Sequence, residues 1–211
     1  MNEFLDHIMW ACDDLERGSQ RFEALTGVAP QYGGAHASGL THNALVRIGP
    51  QCYLEILAPM GPPSAADDVW CRLARAAERT PRVVTYCLRS SRPLSELAQI
   101  AAGMGAPQAK VLNNGRVTPE GIGLKWQWAA PAFERFGLAF PFFIDWLDSP
   151  HPATTVQTRG DIQLKHFAVG HPQADELQRS LARLGAPIET YTAAGCEFTV
   201  QLDTPRGTVS L

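Results

Sequence analysis

The stretch that decides the fold is Leu5–Leu15, LDHIMWACDDL. It is apolar on both alternations of an extended chain: Leu5, His7, Met9 and Ala11 share one face, and Ile8, Trp10 and Cys12 share the other. A strand patterned in this way is covered on both sides, so His7 needs a partner inside the protein. Asp13 or Asp14 then caps a helix whose Leu15, Phe22 and Leu25 sit at helical spacing, and Gly27 stops it. Strand-like pieces follow around 29–33, 43–48 and 52–57, separated by GGAHASGLTH and GPQ. The unit reads βαβββ.

The same order of signals returns twice. RVVTYCLRSS leads to a helix beginning near Pro93, with Leu94, Leu97, Ile100 and Met104 on one side, then to AKVLNN, IGLKWQWA and PFFIDW. IQLKHFAVG leads to a helix from about Pro172 with Leu177, Leu181 and Leu184, then to PIETY, CEFTVQL and GTVSL. This internal repeat predicts one domain over 1–211, built of modules at about 4–58, 82–147 and 161–211. A linker and a short helix carrying Trp70, Leu73 and Ala77 fill 59–81, and the polar loop DSPHPATTVQTRG precedes the third module.

With 45% of its 211 residues hydrophobic and 18% charged, the chain can build a core without disulfide or metal. Its 18 basic and 21 acidic residues form no basic stripe, which argues against nucleic acid as a partner. Cys12, Cys52, Cys71, Cys87 and Cys196 are odd in number and scattered, and read as reduced thiols. Glu3 and Asp6 stand where a secretion signal would carry basic residues, and no apolar run reaches the ~18 residues of a membrane span. A cytoplasmic protein with no membrane partner is expected. A G-x-S-x-G elbow and an H-E-x-x-H helix are absent, and GMGAPQ follows a helix where a dinucleotide fingerprint would precede one.

Glu55, in CYLEILA, stands mid-strand among apolar neighbours, where an unpaired carboxylate would cost several kcal/mol or take up a proton. It needs a cation or a strong donor. Taken in their joint order, LDHI, GGAH, THNALVRIG, YLEI, PFFIDW and TPRGTVSL resemble the glyoxalase-like branch of the vicinal oxygen chelate (glyoxalase/bleomycin resistance/dioxygenase) superfamily. The resemblance implies an α+β fold in which βαβββ modules pair edge to edge into a cupped mixed sheet with helices outside. It also implies that the first and last strands of the modules carry metal ligands on the concave face.

On that resemblance His7 and Glu55 face one cavity, as ligands of a divalent metal (Zn, Fe, Mn or Ni) or as a metal-free hydrogen-bonded pair. Aligning the helix starts sets Tyr86 at the position of His7 and Asp145 at that of Glu55, so Asp145 is a further candidate ligand or base. His166, in LKHFAVG, is the third module's echo of His7 and would join the metal site if modules one and three shared the cavity. The expected arrangement is that modules one and two pair, as consecutive copies do in relatives, giving His7, Glu55 and Asp145 as the set.

His36, His42 and Asn43 in the glycine-rich loop, and Arg89 after the second module's first strand, are candidates for substrate binding. Trp126, Trp128, Phe142, Phe143 and Trp146 read as core. The implied activity is a metal-dependent lyase, isomerase or dioxygenase acting on a small oxygen-bearing organic molecule, with Glu55 or Asp145 moving a proton. The alternative is metal-free binding or sequestration of a small ligand on the same fold. The apolar face of the third module, including Leu164, Phe167, Leu177 and Leu181, must be covered within the chain, and a homodimer is a further arrangement it allows.

Overall fold

The structure, a computed structural model, describes residues 5–78, 80–131, 134–186 and 188–211. Residue 4, the expected start of the first module, lies outside them, as does Glu3. The doubly apolar segment forms strand β1 (Leu5–Ala11), with Ile8 and Trp10 in one core and Met9 and Ala11 in another. Helix α1 (Leu15–Thr26) follows. Asp14 caps it by accepting from Arg17 N at 2.8 Å, and Gly27, at φ 80°, ends it in the left-handed region that a glycine enters without penalty. Strands β2 (Gln31–Ala35), β3 (Thr41–Gly49) and β4 (Cys52–Pro59) complete the first unit.

Helix α2 (Val69–Ala76), capped by Asp68, crosses from the first unit to the second. There the order is β5 (Arg82–Arg89), α3 (Leu94–Gly103), β6 (Leu112–Val117), β7 (Gly123–Ala129) and β8 (Phe142–Asp145). These units form one eight-stranded sheet in the order β2-β3-β4-β1-β5-β8-β7-β6. Within each unit the first and last strands pair in parallel, β1 with β4 and β5 with β8. The units meet at the centre through antiparallel β1 and β5. Modules one and two therefore share the sheet, and His7 is paired with Cys87 across the seam.

The sheet curls until its two edges touch. An antiparallel bridge joins His36, just past β2, to Arg116 of β6, and Ala37 N donates to Gly115 O at 3.0 Å. Gly34 makes this approach possible: it sits at φ 122°, and a Cβ there would fall 2.6 Å from the Val117 carbonyl oxygen.

A short helix α4 (Pro152–Thr155) leads to the last segment: β9 (Gln163–His171), α5 (Ala174–Arg183), β10 (Glu189–Thr192), β11 (Glu197–Thr204) and β12 (Gly207–Ser210). The order of elements repeats, but the pairing does not. These strands form a separate sheet, β10-β9-β11-β12, in which β9 runs parallel to β10 and antiparallel to β11. After the helix, β10 lies directly beside β9, as in a simple βαβ crossover, and β12 is left at the edge.

This second sheet covers the outer face of the large one. Phe22, Tyr86, Leu97, Phe167, Leu177, Leu181 and Val200 belong to one continuous core. Tyr86, aligned with His7 in the sequence, turns outward instead: its ring meets Phe167 edge-on at 5.0 Å, and its hydroxyl donates to Ala139 O at 3.2 Å. Among the described residues no helix is long and apolar enough to cross a membrane. Because Phe167 joins the two sheets, Phe167→Ala is expected to cost about 3–5 kcal/mol in urea unfolding. The transition should remain single, whereas a separate unloading of the small sheet would show the two to be energetically independent.

Candidate functional site

His7 and Glu55 come from parallel neighbours β1 and β4 and enter the same inner cavity, His7 Nε2 lying 3.5 Å from Glu55 Oε2. The His7 ring stacks on Tyr53 with centroids 4.7 Å apart and meets the edge of Phe142 at 5.4 Å. The tie that fixes its orientation is one that strand alternation conceals. The register of β1 against β5 shifts between Leu5 and His7, and such an irregularity lets consecutive side chains turn to one side. Asp6 Oδ1 thereby accepts from His7 Nδ1 at 2.7 Å.

The second oxygen of Asp6 accepts from Trp146 Nε1 at 3.1 Å and His151 Nε2 at 3.0 Å, with Arg89 Nη1 3.8 Å away. Burial by itself would raise the Asp6 pKa, but the hydrogen bonds and charges of His151 and His7 outweigh it and hold the carboxyl well below the usual carboxylate range. An ionised carboxylate only accepts, so Nδ1 of His7 carries the hydrogen and Nε2 is left to face Glu55.

His36 repeats this arrangement from the other side. Its Nδ1 meets Thr41 Oγ1 at 2.8 Å, while its Nε2 lies 3.7 Å from Glu55 Oε1 and 3.4 Å from Asn43 Nδ2. Asn43 Nδ2 is a donor, so Nε2 accepts and Nδ1 donates to Thr41. Burial lowers the His36 pKa, keeping the ring neutral at neutral pH. Asn43 Nδ2 also donates to Glu55 Oε1 at 2.7 Å, and Asn43 Oδ1 is buried without a partner.

Two imidazoles whose far nitrogens are anchored, and one carboxylate between them, form a donor set that suits a divalent cation. A proton shared by His7 and Glu55 would also relieve their approach. Asp6, His7 and Cys87 likewise bring ligand atoms within 4.8 Å of one another. They fit a metal less well, because both Asp6 oxygens are engaged and burial pushes the Cys87 thiol well up.

The other candidates from the sequence lie elsewhere. Asp145 is exposed, and its carboxylate accepts from Leu147 N at 2.9 Å, so it caps the loop after β8; its neighbour Trp146 turns inward instead. His166 pairs with Glu189 at 3.8 Å on the small sheet. His42 alternates away from Thr41 and Asn43 and meets Tyr32 edge-on. Arg89 reaches Asp6 and the Gln51 carbonyl from outside the cavity.

The cavity walls come from residues read as core. Trp126, Trp128, Phe142, Ile144 and Trp146 line it, with Trp70 of α2 and Arg116. Trp126 and Trp146 lie 5.2 Å apart, Trp70 and Phe142 5.1 Å. The cavity, open on one side, has a volume of about 70 Å³, room for about five waters or a small organic molecule. Asp6, Tyr53, Arg116 and His151 also escaped the sequence reading; the alternation W-Q-W in β7 and the acid directly before His7 were the available signals.

A model of the glyoxalase-like domain matches residues 5–185. The chain belongs to the glyoxalase-like domain family. A hypothetical protein from Staphylococcus aureus shares its fold at 16% identity and a TM-score of 0.63, over 98% of this chain and 83% of that one. A variant methylmalonyl-CoA epimerase from Streptomyces coelicolor, in complex with 2-nitronate-propionyl-CoA, superposes at 18% identity and a TM-score of 0.47, over 71% of this chain and 100% of that one. The Mycobacterium tuberculosis methylmalonyl-CoA epimerase gives 15% and 0.46, over 72% and 93%. No curated protein matches the sequence.

In this glyoxalase-like chain, Asp6→Ala would strand the donors of His7, Trp146 and His151 in the interior. Urea unfolding should report a loss of about 3–5 kcal/mol. Asp145→Ala, which removes one exposed loop hydrogen bond, should cost about 1 kcal/mol or less.

Proposed function

We propose that this protein is an enzyme acting on a small oxygen-bearing organic molecule, with a divalent metal held by His7, His36 and Glu55. The observation that carries the reading is the shared design of the two imidazoles: each Nδ1 is anchored, by Asp6 or Thr41, and each Nε2 is turned toward Glu55. When bound, such a metal supplies Lewis-acid polarisation of adjacent ligand oxygens.

The protein's own groups do the rest. The indoles and Phe142 exclude water and flank a planar ligand. Glu55 is the group able to take or return a proton at a carbon beside the ligand oxygen, with Asn43 Nδ2 steadying its Oε1. Lyase or isomerase chemistry that relocates one proton fits this set. A second reading, metal-free binding of a small ligand, draws on the same Asn43 contact, because Nδ2 already supplies a hydrogen to both Glu55 and His36.

Metal analysis and thermal unfolding separate the two. The enzyme reading expects about one divalent ion per chain. It also expects stabilisation by about 2.7 kcal/mol when the free ion is a hundredfold above its Kd. Chelation should lower the melting temperature, and His7→Ala and Glu55→Gln should each abolish that response. Identical melting with chelator and with added Zn, Mn, Fe or Ni would favour the binding protein.

A further inference from the structure

Arg116 is a buried cation in search of an anion. It is 7% exposed, on the β6 edge that closes against the segment after β2. Among the described residues its hydrogen-bond acceptor is the Gly33 carbonyl oxygen, and no carboxylate comes within ion-pair distance. A guanidinium offers five N–H donors in a rigid fork and stays charged even where burial lowers its pKa, as it does here. Glu55 and Glu120 act on it only from a distance. A buried charge left in this condition is costly unless something arrives to pair with it.

A second unmet demand lies beside the first. A Cβ built on Gly33 would stand 2.3 Å from Asn43 Oδ1, the buried acceptor without a donor, and 2.8 Å from Arg116 Nη1. The missing side chain of Gly33 thus lets Asn43 Oδ1 and Arg116 Nη1 both approach the same point of the backbone. Arg116 and Asn43 line the cavity that Trp126, Trp128 and Phe142 wall with flat apolar surface. Arginine's planar fork matches a carboxylate in a two-point contact.

We infer that Arg116 receives the carboxylate of the ligand, so that the preferred substrate is a small planar carboxylic acid whose apolar body lies against the indoles. This rests on the inner cavity being the functional site, as proposed above. Arg116 also borders an outer cleft with Tyr32, Glu120 and Ile122, so the test must locate the ligand as well as detect it.

Benzoate and its neutral isostere benzamide are suitable probes, followed through the fluorescence of the cavity tryptophans in the full-length protein. Benzoate should bind saturably and about tenfold or more tightly than benzamide, the worth of a hydrogen-bonded charge. Arg116→Met should bring benzoate down to the level of benzamide, and Arg116→Lys should keep part of the preference. Tyr32→Ala, in the outer cleft, should leave benzoate binding unchanged. Equal affinity for the two probes in the unmodified protein overturns the inference, and that comparison stands even if an Arg116 variant fails to fold. Preference retained in folded Arg116→Met, or benzoate binding lost in Tyr32→Ala, overturns it as well. Binding of neither probe also rejects the carboxylate assignment; the metal measurements need no organic probe and report separately on the site itself.

Discussion

The His7 side of the cavity hangs on the buried carboxylate of Asp6. One oxygen fixes His7, and the other gathers Trp146 and His151 from the far end of the second unit. A lone ionised carboxylate in such a place would be untenable. Its three donors make it tenable, and in doing so join β1 to the β8 region across about two thirds of the chain. His151 completes the network with its own backbone: Ala153 N donates to Nδ1, leaving Nε2 as the donor to Asp6. The tautomer of His7 is therefore set by a contact made outside the cavity, and its inward nitrogen is turned toward Glu55.

The two sheets divide the structural work. The outer sheet and helices α1, α3 and α5 bury the convex side of the β1–β5 seam in one continuous apolar core. The inner face carries the polar groups, and their positions depend on a backbone that cannot drift. Contact between the β2 and β6 edges adds to this restraint by tying the ends of the sheet together. A cupped sheet with free edges could open or close; one bridged at His36 and Arg116 holds the cavity at a set width.

Much of this was legible in the sequence. The double apolar alternation of LDHIMWA identified β1 as a strand covered on both faces, and the repeated strand-helix-strand order, together with the motif resemblance, pointed to two modules in one sheet. His7 and Glu55 were recognisable because polar residues in apolar strands demand partners. What escaped depended on three-dimensional accidents. Asp6 shares a side with His7 only through a register shift, which leaves no mark on alternation. Asp145 matched Glu55 by position, yet the chain turns immediately after it and the carboxylate serves that turn. Arg116 sits in a polar-looking hairpin, and its burial follows from the opposite edge of the sheet arriving beside it. The last segment repeated the order of elements, but order does not specify which strand lies beside which.

The cavity also draws unevenly on the two units of the large sheet. The groups proposed to hold a metal, His7, His36 and Glu55, and the Asn43 that contacts Glu55, belong to the first unit. The flat walls Trp126, Trp128, Phe142 and Trp146, and the cation Arg116, belong to the second. On the proposed reading, the groups that would hold a metal and the surfaces that would receive a ligand therefore come from different units. Substitutions in β6–β8 would then alter the shape of the cavity while leaving the polar groups of β1–β4 in place.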